Sequence, residues 1–293
     1  MAGLELLEPG VRRIVAPNPS PMTLTGTCTY IVGTGEVAVI DPGPENPAHL
    51  RTILESLAPN ESVSHIFVTH AHLDHSPGAA PLAALTGAQV YAFGPPSAGR
   101  SAVMQALAAR ADVGGGEGVH HAFRPDVTLA DGDVVRGTDW SLRALHTPGH
   151  FCNHLCFLFG DIAFSGDHVM GWASTLISPP DGDLGDYFRS LDKLADTASR
   201  ILYPGHGAPV TEPQARIAEL AAHRHDRSRQ ILEALTERPA TAAELTQVIY
   251  TDTPKALLPA AERNVFAHLI EMLEKNTVFA SEEISLSCRF SRK

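Results

Sequence analysis

The sequence predicts an α+β fold: two β-sheets packed face to face with helices outside, followed by a small module of three helices and a hairpin. Three observations carry this reading. Over the first two thirds, short Val- and Ile-rich runs come in consecutive pairs and alternate with helical stretches. Several of those runs end in tight turns bearing His or Asp. From about residue 212 the pattern turns almost wholly helical, so the expected domains are 1–211 and 212–293.

Taken in order, TYIVG (29–33) and VAVID (37–41) flank a GTGE turn and read as a hairpin. A helix is expected over about 47–58 and an apolar strand, SHIFVTH, at 64–70. Ser76 and Pro77 look like an N-cap and first helical residue, opening a helix near 77–86. A short strand follows in AQVYAF. Residues 94–124 form a long excursion with one helix near 101–111 and a glycine-rich tip, the kind of segment that walls a site. Strands resume in DVVRG, WSLRALH, HLCFLFG and DIAFSG, the last two joined tightly at Gly160-Asp161. A helix at 186–197 and the strand ILYP (201–204) complete the large domain. Residues 214–236 then form one long helix. Thr241-Ala-Ala-Glu244 has capping-box spacing and opens a second helix to about 250. A third helix covers about 255–275, with a β-like tail after it. Three helices and a hairpin describe a winged helix. Such a module either contacts nucleic acid or serves packing, homodimer formation or the shaping of a cleft.

Composition narrows these choices. Hydrophobic content of 44% with 19% charged residues is that of a globular protein. No run approaches the roughly 20 apolar residues of a membrane span, and no secretory signal is visible, so a cytoplasmic protein without membrane contact is expected. Four cysteines are too few for a disulfide framework. Cys152 and Cys156 are expected as buried thiols on one face of a strand. Residues 1–210 hold 11 Lys+Arg and 21 Asp+Glu, or −10, whereas 211–293 hold 11 and 12, or −1. No strong nucleic-acid surface is therefore expected, which favours a packing or cleft-shaping tail.

The chemistry concentrates in Val68-Thr-His-Ala-His-Leu-Asp-His75. In an extended loop side chains two apart point the same way, so His70 and His72 can grip one metal. Asp74 and His75 are adjacent and need a turn, which aims them at a second position. Thr147-Pro-Gly-His150, Phe164-Ser-Gly-Asp167 and Tyr203-Pro-Gly-His206 each end a strand and supply His150, Asp167 and His206. Imidazole and carboxylate donors without thiolate suit zinc. Of the other histidines, His146 is expected inward-facing and hydrogen-bonded, and His120 and His121 are not expected on a metal. His168 is either pocket-lining or structural. His223 and His225, with Arg224, Arg227 and Arg229, read as a solvated helix face, with anion contact as the alternative.

The ordered set HAHLDH, TPGH, SGD and PGHG resembles the metallo-β-lactamase superfamily over roughly 17–210, and VIDPG (39–43) resembles its first motif. The resemblance implies an αββα sandwich with a first metal on His70, His72 and His150. It implies a second on Asp74, His75 and His206, with Asp167 shared and Asp41 buttressing the metal loop. NPSPMTLTGTCTYIVG, HTPGH, SGDHVMG and ILYPGHG, with the tail, are similar to the β-lactamase-like protein 2 branch. That branch joins the fold to a winged helix and includes an endoribonuclease acting on single-stranded RNA. Cys28 and Phe151 depart from the family's usual Asn and Thr and are expected near the pocket. The expected cofactor is two Zn2+, with Mn2+ or Fe2+ as alternatives, sharing a hydroxide at a separation of roughly 3.5–4 Å. The expected substrate is a single-stranded RNA-like phosphodiester or a small ester, with a small acyl thioester or lactone as the alternative. A di-iron redox enzyme is disfavoured by His72, where the superfamily's oxygen reducers usually carry Glu. A vestigial core on a nucleic-acid-binding regulator is disfavoured because all seven ligand positions are filled. Asp74 and Asp167 are the expected catalytic carboxylates, with His168 a candidate proton donor.

Overall fold

The computed structural model describes residues 3–110 and 112–293. Strands β1 (Leu4–Glu8) and β2 (Val11–Val15) form a hairpin that sequence patterning misses, because Leu-Glu-Leu-Leu-Glu is rich in helix-favouring residues. β2 pairs with β3 (Cys28–Val32), and β3 with β4 (Glu36–Ile40), both antiparallel. Helix α1 (Pro47–Glu55) then crosses to β5 (Ser62–Phe67), and α2 (Ala79–Thr86) to β6 (Gln89–Ala92), both strands joining in parallel. After α3 (Ala102–Ala108), a two-residue β7 (Val127–Thr128) closes the seven-stranded sheet, in order β1 to β7. The second sheet is built from β8 (Val134–Arg136), β9 (Ser141–His146), β10 (Leu155–Phe159) and β11 (Ile162–Gly166). After α4 (Leu184–Ala195), β12 (Ile201–Pro204) adds in parallel to β11, giving the order β12-β11-β10-β9-β8.

The inner faces of the two sheets meet on aromatic side chains. Phe67 lies 5.1 Å from Phe157, 5.2 Å from Tyr91 and 6.0 Å from Trp140. The indole N–H of Trp140 donates to the Glu36 carbonyl at 2.7 Å, so the buried ring carries no unmet donor. Outside, Leu50, Ile53 and Leu82 of α1 and α2 cover the first sheet. Tyr187, Leu191 and Leu194 of α4, with Ile217 and Leu220, cover the second. The result is the four-layer αββα sandwich.

α1 also carries a buried titratable group. Asn46 caps it, accepting from the Ala48 and His49 amides, and this fixes His49 against Thr29 with Nε2 2.8 Å from the hydroxyl. Burial pushes the His49 pKa down to about 4. The unfolded chain therefore binds this proton below about pH 6.5, while the folded chain refuses it until about pH 4. Stability contributed by neutral His49 is present above about pH 6.5 and falls as pH drops towards 4. His49→Gln should lose part of that dependence. The difference between the two melting-temperature curves should narrow from about pH 7 to about pH 4, and parallel curves would contradict it.

Beyond the sandwich, α5 (Pro213–Glu237) leads into α6 (Ala242–Ile249), a 3-10 turn (Lys255–Leu257) and α7 (Leu258–Glu274). β13 (Val278–Ala280) and β14 (Phe290–Arg292) form the short wing. Both bonds of the Thr241–Glu244 capping box are made. Val265, Phe266 and Leu269 of α7 pack with Met104, Leu107 and Val113, tying this module to the 94–124 excursion.

Three local expectations need correction. Ser76 is not an N-cap: α2 starts after Gly78, and the Ser76 hydroxyl donates to the His72 carbonyl while lying 2.9 Å from His120 Nδ1. Cys152 sits in the turn before β10, 3.1 Å from the Pro96 carbonyl, rather than sharing a strand face with Cys156. The charged stretch 223–229 is the expected solvated face only in part: His223, His225 and Arg229 are exposed, but Arg224 is not. Arg224 is 1% exposed, donating to Asn264 Oδ1 at 3.0 Å and to the Thr175 carbonyl. His225 stacks on Phe188, and Arg227 lies over Tyr250. α4 and α7 pack on α5 there and cover Arg224, whose two terminal nitrogens meet neutral acceptors while its Nε has no partner among the described residues.

Candidate metal centre

Four strand ends converge on one rim. Val68 and Thr69 extend β5, with the Val68 amide donating to the Tyr91 carbonyl, and the chain then turns through 70–75. β9 leads to His150, β11 to Asp167 and β12 to His206. The turn is anchored by Asp41, which directly follows β4 and adopts a left-handed backbone with φ +50°. Its carboxylate accepts from the Thr69 amide (2.7 Å), the Thr69 hydroxyl (2.7 Å) and His75 Nδ1–H (2.8 Å).

The remaining bonds fix which nitrogen each imidazole presents. His150 Nδ1–H donates to the Leu176 carbonyl and His206 Nδ1–H to the Gly26 carbonyl. His70 Nδ1–H donates to the Thr69 hydroxyl, whose own proton goes to Asp41. Thus His70, His75, His150 and His206 all present Nε2 to the interior of the site, and His72 presents Nδ1. His72 Nδ1 lies 2.9 Å from His70 Nε2 and 3.1 Å from His150 Nε2. A few ångströms away, His206 Nε2 lies 3.3 Å from His75 Nε2 and 3.1 Å from Asp74 Oδ2. Asp167 spans the two groups, with Oδ2 3.4 Å from His206 Nε2 and 3.7 Å from His150 Nε2.

This donor set fits a pair of cations. Burial holds the His72 pKa down to about 3, with His150 adding to the effect, so its lone pair is available at neutral pH. For His206, burial opposes the proton, but Asp167 and then Asp74 outweigh it and raise the pKa to about 9. Buried carboxylates therefore demand positive charge here. Asp167 Oδ1 is also buried without a hydrogen-bond partner among the described residues. Two clusters of close lone-pair donors and an orphaned carboxylate oxygen are what resident cations would satisfy. The seven residues fall into three groups able to hold a metal: His70/His72/His150, His70/His75/Asp167 and Asp74/His75/His206. No cysteine joins them among the described residues.

Asp41→Asn keeps the acceptor for the Thr69 amide but removes the charge behind His75. A fall of about 10–100-fold in metal affinity is expected, measured by competition with a chelating dye. An unchanged affinity would remove Asp41 from the supporting role.

Of the two readings of His168, its position fits the structural one and not the pocket-lining proton donor. The side chain is 0% exposed, edge-on to Tyr187 at 4.9 Å, and away from the cleft. Burial lowers its pKa to about 3, so it holds no proton to give at neutral pH. Phe151 is likewise buried, packed against the His72 ring at 4.7 Å, and Cys28 is buried beneath the Gly207 carbonyl. His146 is half-buried, bonded to the Cys152 carbonyl and stacked on Phe93.

Above the seven side chains opens a cavity of about 830 Å3. His72, Asp74, His150, Asp167 and His206 form its floor. Its walls are largely apolar: Met22, Leu73, Met170 and Trp172 on one side, Leu257, Pro259 and Leu286 of the C-terminal module on the other. Asn264 helps to hold the module in place, its Oδ1 accepting from the Ile177 amide. No sequence signal identified these wall residues, which only folding brings to the metal rim.

Known proteins share both parts of this architecture. Residues 22–206 match the metallo-beta-lactamase superfamily, and residues 241–284 match the beta-lactamase associated winged helix domain. The chain is 31% identical to a beta-lactamase-like protein 2 homolog of Drosophila melanogaster, over 94% of this chain and 92% of that one. It is also 31% identical to an atrochrysone carboxyl ACP thioesterase of Aspergillus fumigatus, over 86% of this chain and 76% of that one. A metallo-beta-lactamase family protein of Thermus thermophilus superposes with a TM-score of 0.78 at 26% identity, covering 98% of this chain and 100% of the other.

Proposed function

The chain belongs to the metallo-β-lactamase superfamily of metal-dependent hydrolases, and on that premise we propose that it is a di-zinc hydrolase of apolar acyl thioesters. The observation that carries the substrate class is the lining of the cleft. Apart from its apolar walls, and from Asp74 and Asp167 whose charge the cations would neutralise, it holds three carboxylates (Glu117, Asp181, Glu262) and one arginine, Arg263. A polyphosphate backbone is disfavoured by such a wall, whereas an acyl chain gains by burial against Met22, Leu73 and Trp172. The order of preference between phosphodiester and thioester read from sequence is therefore reversed. The similarity to an ACP thioesterase supports the same choice.

Two zinc ions held there would supply Lewis-acid polarisation of the scissile carbonyl and an activated water at neutral pH. The N and O donor set supports zinc. His70, His72 and His150 would hold one ion and Asp74, His75 and His206 the other, with the Asp167 carboxylate between the two groups. Asp74 is the one carboxylate of the seven with a side chain substantially open to the cleft, at 27% exposure. It orients the attacking water, accepts its proton and returns it to the departing thiolate as the C–S bond breaks. Asp41 and Thr69 keep the 70–75 turn rigid during this transfer.

Acyl-N-acetylcysteamine thioesters of increasing chain length test this reading. Each added methylene should raise kcat/KM by about threefold to fourfold until the cleft is filled. Trp172→Ala should flatten that rise. Activity should disappear on extensive chelation and return with zinc. Turnover of a single-stranded oligoribonucleotide with steep salt dependence, and none of any thioester, would overturn it.

A further inference from the structure

We propose that a second pocket, beside the cleft, binds a phosphate carried on the leaving thiol of the substrate. This rests on the thioester reading above and extends it to the other end of the molecule. The pocket has a volume of about 400 Å3 and shares Gly116 and Asp181 with the apolar cleft. A flexible thiol arm leaving the metal rim past Gly118, which lies against His72, can cross that shared edge.

Its chemistry is opposite to that of the cleft. Arg100 and Arg124 supply guanidinium groups and His121 an imidazole, with Asp181 the one carboxylate in the lining. Arg124 is held in place by the carbonyls of His121 (3.0 Å) and Phe123 (2.6 Å). Among the described residues no carboxylate pairs with it, so its charge is positioned without being neutralised. Arg100 pairs with Asp181 at 2.5 Å, and its Nε is buried without a partner. Between them run Gly114, Gly115 and Gly116, with φ of +70°, +101° and +81°. A Cβ on Gly115 would meet Pro180 Cδ at 2.6 Å, so only bare backbone fits there. The Gly114 and Gly115 amides find no acceptor among the described residues. The Gly116 amide already donates to Asp181 Oδ2 at 2.9 Å, so an incoming oxyanion would find the Gly114 and Gly115 amides beside the unneutralised Arg124 guanidinium.

The ligand this assembly fits is a thiol arm ending in phosphate, of the phosphopantetheine kind. The phosphate can belong to a free coenzyme or to an arm fixed on a carrier protein, which share this chemistry.

The test uses the full-length zinc-loaded protein and the exposed Arg124. For wild type, Arg124→Ala and a charge control, Arg51→Ala, kcat/KM is measured for decanoyl-phosphopantetheine and for decanoyl-N-acetylcysteamine, which lacks the phosphate. The ratio of the two should fall about tenfold in Arg124→Ala and stay unchanged in Arg51→Ala, the loss of one charged hydrogen-bond partner. Decanoyl-coenzyme A and a decanoyl-carrier protein extend the series. A loss with either supports the site and identifies its source. An unchanged ratio with every phosphate-bearing substrate overturns it, even while thioester hydrolysis stands. Titration calorimetry with phosphopantetheine alone separates the opposite case. If no thioester is turned over yet Arg124→Ala weakens phosphopantetheine binding about tenfold, the thioester reading fails and the phosphate site remains. If phosphopantetheine does not bind wild type at all, the site is lost.

Discussion

Replacing Asp167 by Ala is expected to lower kcat/KM by at least about a thousandfold while the fold survives. Its carboxylate is the group lying between the two clusters, within 3.4 Å of His75 and His206 and 3.7 Å of His150. Without it, His206 loses the larger of the carboxylate influences that raise its pKa, and the site no longer matches the charge of two divalent cations. The fold should persist because the structural bonds of this residue belong to its backbone. Its amide donates to His154 Nε2 and its carbonyl accepts from the Thr175 hydroxyl, and alanine retains both. Asp167→Asn restores shape without charge and should recover only a minor part of the activity. Kinetics, metal content by mass spectrometry and circular dichroism check the three statements together. Wild-type turnover in Asp167→Ala would end the bridging role.

Legibility in the sequence followed the range of the interactions concerned. The seven candidate ligands, which the fold brings together, were readable because donors two apart in an extended turn, or placed straight after a strand, carry a local signal. The tight β10–β11 hairpin and the capping box at Thr241 were similarly local. The β1–β2 hairpin was not, since its Leu and Glu residues favour helices and only pairing with β3 makes them strands. Arg224 misled for the same reason in reverse. Its polarity is local, while the Thr175 carbonyl and Asn264 Oδ1 that accept from it lie 49 and 40 residues away. The candidacy of His168 as proton donor came from adjacency: the residue after Asp167 packs instead against Tyr187 of α4. The walls of the cleft come from segments as far apart as Met22 and Leu286, and no spacing rule joins them.

Gly205→Ala should be nearly as damaging as loss of a ligand, for a purely steric reason. Gly205 does not use a left-handed backbone, so alanine meets no conformational penalty there. Its amide donates to the Gly166 carbonyl at 2.8 Å and its carbonyl accepts from the Cys28 amide at 2.7 Å, and both bonds are open to alanine. The added methyl is the difficulty. It would lie 2.3 Å from Asp167 Oδ1 and 2.7 Å from His75 Cε1, far inside contact distance. Either β12 backs away, carrying His206 with it, or Asp167 and His75 leave their positions. A displacement near about 1 Å at reacting groups costs about a hundredfold, and overpacking about 1–3 kcal/mol of stability. The variant should therefore fold with a lowered melting temperature, lose most of its metal at the Asp74/His75/His206 position and fall at least about a hundredfold in kcat/KM. Gly171→Ala supplies the control, since its new methyl meets nothing nearer than 3.5 Å and should leave turnover near wild type. Full metal content and full turnover in Gly205→Ala would mean that the rim yields easily, and a site held together by rigid strand ends would no longer describe this enzyme.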